Sequence, residues 1–139
     1  MSALAGYSGR PLARKLGIVA GSRAAFVAAP AGFAGSFELP PGVRLRVEAR
    51  GPVEVVVFFV TRERELAKRF PRLARVVVPD GGLWIAWPKR TSGVATDLNE
   101  NAVRAVGLGC GLVDNKVCAI DDVWSGLRFV ARVSDRPAR

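Results

Sequence analysis

Apolar positions fall along this chain in short blocks whose spacing alternates between strand-like and helix-like. Pro11 to Leu16 reads as a short helix with proline at its first position and Gly17 ending it. Ser22 to Ala29, set between Gly21 and Pro30, predicts a buried strand, and Ala34 to Leu39 a turn of helix or an irregular link. Val43-Arg-Leu-Arg-Val47 alternates apolar and charged residues, the mark of a half-exposed edge strand. Val53 to Val60 is apolar on both sides after Glu54, as expected for a central strand covered on both faces. The link between these two strands, centred on Gly51-Pro52, is too short for a helical crossover; it is either a hairpin or a degenerate crossover.

Beyond Thr61, a candidate cap, Leu66, Phe70 and Leu73 make one helical stripe, and Arg64, Lys68, Arg72 and Arg75 make the opposite one. Pro71 should kink this helix or start a second one. Val78-Pro-Asp-Gly-Gly82 then turns the chain into a strand, Leu83 to Trp87, ended by Pro88. Asp97 with Glu100 three residues later has capping-box spacing for a further helix, with Val103, Val106 and Cys110 inward and Gly111 closing it. Strands at about 112–120 and 126–133, joined through Asp121-Asp122, form a hairpin. The whole chain, 1–139, thus predicts one α/β domain. Its sheet is mostly parallel, with helices on both faces and a C-terminal antiparallel hairpin, and residues 1–9 and 134–139 are loose tails.

A chain of 139 residues suits one domain with a real core. Its longest apolar run is far too short to span a bilayer, and residues 1–16 lack the apolar stretch of a secretory signal, so a cytoplasmic protein with no membrane partner is expected. The net charge of +9 has two readings. It can serve a phosphate-bearing partner, nucleic acid included, or it can follow from the codon bias of a GC-rich genome, since Arg outnumbers Lys. With no histidine, Ser-His-Asp and Cys-His mechanisms and the usual Cys/His zinc sites are excluded. Cys110 and Cys118 read as buried reduced thiols.

The order strand, helix, Pro-Asp-Gly-Gly turn, strand, helix, hairpin over about 53–133 resembles the second half of class I S-adenosylmethionine-dependent methyltransferases. That likeness implies a truncated Rossmann-like, methyltransferase-like fold. Those enzymes follow their first strand with a glycine-rich turn and end their second with an acidic residue that holds the ribose. Here the turn is Ala29-Pro-Ala-Gly-Phe33, the acidic candidate is Glu48 between Arg46 and Arg50, and one strand–helix unit is missing. A closer resemblance, over 6–133, rests on Leu-Trp-Ile-Ala-Trp-Pro-Lys-Arg-Thr-Ser-Gly-Val-Ala-Thr-Asp-Leu and Gly-Leu-Val-Asp-Asn-Lys-Val-Cys-Ala-Ile-Asp-Asp-Val-Trp-Ser-Gly-Leu-Arg-Phe-Val. These phrases are similar to the short bacterial proteins of the domain of unknown function 3052 family, which brings no activity with it.

In a parallel sheet, ligands bind outside the carboxyl ends of the strands. The residues placed there are 30–33, Thr61-Arg62 and 87–96. Lys89, Ser92, Gly93 and Thr96, with Pro30 and Gly32, form the candidate ligand site, suited to an anionic small molecule or nucleotide because a helix N-terminus arrives beside them. The plain alternative is an ordinary strand-to-helix connection. No catalytic residue, metal or cofactor is assigned, so a non-catalytic binder is the first expectation. A reduced methyltransferase-like enzyme, a nucleic-acid protein using Arg64, Lys68, Arg72 and Arg75, and a homodimer pairing through a sheet edge or tryptophan patch are the alternatives. Lys116 is expected to pair with Asp114 or Asp121, and Trp84, Trp87 and Trp124 to be core or interface rings.

Overall fold

The structure, a computed structural model, describes residues 11–136; the expected arm at 1–9 and the last residues, 137–139, lie outside them. Six strands, β1 (Arg23–Val27), β2 (Arg44–Arg46), β3 (Val53–Phe59), β4 (Val77–Pro88), β5 (Leu112–Ala119) and β6 (Trp124–Ala131), form one sheet in the order β2-β1-β3-β4-β6-β5. The first four are parallel, and β6 runs antiparallel between β4 and β5. The helices are α1 (Leu12–Leu16), α2 (Glu63–Val76) and α3 (Glu100–Gly109). This is a truncated Rossmann-like sheet with a C-terminal antiparallel pair.

Alternation along β3 explains its unbroken apolar sequence. Val56 and Phe58 face α2 and α3 together with Leu66, Phe70, Leu73 and Val103, while Val55, Val57 and Phe59 face the other side. Among the described residues that second side has the five-residue α1 as its helix. The stretch between β1 and β2 covers the rest as irregular chain, through Phe33, Phe37 and Leu39. Phe33 sets its ring edge-on to Phe26 and Phe59, with centroids 5.1 and 4.8 Å apart. Trp84, wholly buried, donates its indole N–H to the Leu16 carbonyl at 2.9 Å and so ties α1 to the sheet.

The short link between β2 and β3 is a degenerate crossover, not a hairpin. Both strands lie parallel to β1, one on each side of it, and the link turns through a cis Gly51–Pro52 peptide. The Pro-Asp-Gly-Gly turn is a bulge inside β4, where the register with β3 shifts between Val53 and Val55. Pro71 neither ends nor divides α2, which runs unbroken from Glu63 to Val76. It sits on the exposed side, where the carbonyl it leaves unpaired, that of Ala67, can be hydrated. The expected tail at 134–136 is drawn in by a 3-10 turn, Val133–Asp135, and Arg136 Nε donates to the Ala131 carbonyl at 3.2 Å. Among the described residues no helix is long and apolar enough to cross a membrane.

Candidate functional site

The chain leaves β1 outward to β2, then returns across it to β3, so the sheet's topological switch point lies between the carboxyl ends of β1 and β3. Ala28, next after β1, has φ of 58°, a left-handed conformation that a residue with a Cβ seldom adopts. Beyond β3, Thr61 is stitched to the loop after β4. Its carbonyl accepts from Thr96 Oγ1 at 2.5 Å and from the Asp97 N–H at 3.3 Å. Asp97 Oδ1 then accepts from the Glu63 N–H at 2.7 Å. Asp97 therefore caps α2, which lacks a cap of its own from Arg62, and Asn99 caps α3 by accepting from the Ala102 N–H at 2.8 Å. The expected roles of Thr61 and Asp97 as caps of their own helices are corrected accordingly.

This stitching opens a cleft of about 440 Å³ at the carboxyl end of β4. Trp87, Pro88 and Leu98 give it apolar walls; Lys89, Arg90, Thr96, Asp97, Asn99, Glu100 and Ser125 give it polar ones. Its two carboxylates are already engaged, Asp97 by α2 and Glu100 by Arg104 at 2.5 Å. Lys89 and Arg90 make no ion pair among the described residues. The first two N–H groups of α3, on Glu100 and Asn101, meet no protein acceptor there either. Two cations outside ion pairs thus meet the start of α3 over a partly apolar floor, with the Asp97 carboxylate turned to the Glu63 N–H.

Of the residues expected at a ligand site, Lys89 and Thr96 line this cleft. Ser92 and Gly93 do not, because the Ser92 hydroxyl closes its own turn on the Lys89 carbonyl at 2.7 Å. Pro30 and Gly32 are outside the cleft, at the switch point, where they lead into the buried Phe33. Arg90, within the 87–96 loop placed there from sequence, lines the cleft as well; Asn99 and Ser125 were not singled out. Arg64, Lys68, Arg72 and Arg75 lie exposed along α2 without ion pairs among the described residues.

Three further expectations are corrected. Cys110 is exposed at the end of α3 rather than buried, and Cys118 is partly buried, where burial pushes its thiol pKa up. Lys116 pairs with neither aspartate. Asp114 binds Arg104 at 3.0 Å, and Asp121 Oδ1 accepts from the Val123 and Trp124 N–H groups, both at 2.9 Å, to form the hairpin turn. No group of three or more His, Cys, Asp or Glu residues able to hold a metal ion occurs among the described residues. Glu54, a carboxyl with a clearly lowered pKa, lies at the far end of the sheet. Side-chain hydrogen bonds from Arg23, at 3.1 and 2.5 Å, lower its pKa to about 2 and lock β1 to β3.

No protein family matches the chain, so the likeness to the domain of unknown function 3052 finds no support there; no curated protein matches it either. Among solved structures it is similar to a SAM dependent methyltransferase from Aquifex aeolicus, with TM-score 0.62, 16% identity and 92% of each chain covered. It is also similar to the O-methyltransferase NcsB1 from neocarzinostatin biosynthesis, with TM-score 0.61, 10% identity, and 81% of this chain and 49% of that one covered. The fibrillarin pre-rRNA processing protein of Methanococcus jannaschii gives TM-score 0.57 and 15% identity over 82% of this chain and 68% of that one. The chain thus spans about half the length of some of these proteins, 54% of the magnesium protoporphyrin IX methyltransferase of Synechocystis among them. At these identities the comparisons show a shared class I methyltransferase-like fold.

Proposed function

We propose that this protein binds a small anionic molecule in the cleft between β4 and α3. The observation that carries the reading is the meeting of Lys89 and Arg90, neither in an ion pair among the described residues, with the start of α3 at Glu100 over the Trp87–Leu98 floor. Arg90 offers a planar fork for a phosphate or carboxylate, Lys89 a point charge, and the α3 dipole adds to both. Thr96 and Asp97 hold the loop rather than the ligand, since their side chains are engaged with Thr61 and Glu63. The apolar wall suits a ligand with a ring or chain beside its charge. This reading assigns no catalysis, and it is compatible with the resemblance to the domain of unknown function 3052. Native mass spectrometry of the gently purified protein tests it. Added mass of metabolite size, lost in the Lys89→Ala/Arg90→Ala variant, supports the reading. The same added mass in both proteins refutes it.

A second reading, methyl transfer from S-adenosylmethionine, is favoured by the fold and by Ala28, whose left-handed backbone stands at the switch point. The residues present do not fit that cofactor in its usual pose. The turn after β1 has Gly32 alone, Phe33 from it is buried against Phe26 and Phe59, and Glu48 after β2 is paired with Arg50 at 3.5 Å. A calorimetric titration with S-adenosylmethionine that gives no heat removes this reading. Saturable heat would place it first.

A further inference from the structure

A line of cations that the β4–α3 cleft does not use runs along the outer face of α2. With Leu66, Phe70 and Leu73 buried, the helical period sets Arg64, Lys68, Arg72 and Arg75 on the opposite side, and all four are exposed. They make no ion pair among the described residues. The acids of α2, Glu63 and Glu65, are confined to its first turn. Glu65 pairs with Arg69 at 3.8 Å, and on the neighbouring α3 Glu100 is taken by Arg104.

The four cations follow one another at spacings of four, four and three residues, where like charges repel and weaken a helix. The stripe therefore works against α2 until a counter-charge covers it. At the helical rise it is about 16 Å long, with about 4.5–6 Å between neighbours. That length matches about five phosphates on one strand of a duplex. Other polyanionic partners fit less well. A protein partner needs an apolar or aromatic anchor, and a membrane surface needs an apolar stripe to take in. The uncharged residues exposed on α2 are Ala67 and Pro71, and its apolar stripe is already in the core. Nor does α2 hold a Ser, Thr, Asn or Gln to read base edges, and its one ring, Phe70, is buried and cannot stack on unpaired bases.

We propose that the α2 stripe docks on the phosphate backbone of a nucleic-acid duplex, without regard to sequence. The net charge of +9 draws such a partner in, and the stripe fixes where it sits. The test is fluorescence anisotropy of the full chain with labelled DNA and RNA duplexes of about 20 base pairs, at about 50 to 200 mM salt. With four phosphates contacted, log K against log salt should have a slope of about −3.5 on DNA. Changing Arg64, Lys68, Arg72 and Arg75 together to alanine should weaken binding about a hundredfold or more at the lower salt and flatten the slope. The melting temperature of that variant should stay at or above the parent's, because alanine favours helix and the repulsion is gone. If it fails to fold, Lys68→Ala carries the test, with a slope reduced by about 1. Lys89→Ala/Arg90→Ala should bind the duplex as the parent does. No binding to either duplex, a slope unchanged in the stripe variants, or equal loss in Lys89→Ala/Arg90→Ala would overturn the interface. Tighter binding to a single strand of the same length, to polyglutamate or to anionic phospholipid vesicles would overturn the assignment to a duplex.

Discussion

Two glycines of α3, only two residues apart, should respond in opposite ways to alanine. Gly107 is buried on the sheet side, and a Cβ there would stand 2.0, 2.4 and 2.6 Å from three atoms of the Phe129 ring. That ring is 1% exposed and set edge-on to the wholly buried Phe70, with centroids 5.3 Å apart, so it has nowhere to withdraw. Relief requires α3 to retreat by more than about 1 Å, and overpacking of this kind costs about 1–3 kcal/mol or more. Alanine gains up to about 1 kcal/mol in helix propensity, which offsets only part of it. Gly107→Ala should therefore lose about 1–2 kcal/mol, a melting temperature lower by roughly 5 °C. Gly109, where an added Cβ meets nothing within 4 Å, should instead gain a few tenths to about 1 kcal/mol. Urea unfolding of both variants decides. A Gly107→Ala protein as stable as the parent, or a Gly109→Ala protein that loses more, would refute the close packing of α3 that positions the cleft.

Three other outcomes follow from particular contacts. The folded pKa of Glu54 is below its ordinary 4.5, at about 2, so its contribution is fully present above pH 4.5 and is lost as pH falls toward 2. Because the pair is about one-third exposed, that contribution is about 1 kcal/mol after screening. Glu54→Gln should flatten the acid limb of stability between those pH values, and parallel limbs for parent and variant would contradict the assignment. Asp97→Ala removes the α2 cap and should cost about 1 kcal/mol in urea unfolding; an unchanged midpoint argues against the capping role. Trp84→Phe leaves the Leu16 carbonyl without its indole donor, and should cost about 1–3 kcal/mol and speed amide exchange in α1. Exchange at the parent rate would show that α1 is held by other contacts.

Periodicity was enough for the elements that bury a regular face. Val53 to Val60 reads as a two-faced central strand, and Leu66, Phe70 and Leu73 as an inner stripe, because burial is repeated at the backbone's own period. Choices that depend on what lies across space were not legible. Asp97 and Asn99 have the same capping chemistry, and only the closeness of α2 assigns Asp97 to it. Lys116 was expected to pair with Asp114 or Asp121; the bulge between Asp114 and Lys116 breaks the alternation that would have put those two on one face. The cation-rich loop after β4 was recognisable from Lys89 and Thr96. Ser125, which comes to the same cleft from β6, had no local signal, and Ser92 was misplaced because turn closure and ligand binding ask for the same hydroxyl.

The central claim is that Lys89, Arg90 and the start of α3 hold an anion, and an NMR titration of backbone amides with sulfate as the probe tests it most directly. The account predicts saturable shifts centred on Lys89, Arg90, Glu100 and Asn101, weakened by about tenfold or more in Lys89→Ala/Arg90→Ala. Shifts that leave Glu100 and Asn101 unmoved, or that persist unchanged in the double variant, would contradict it.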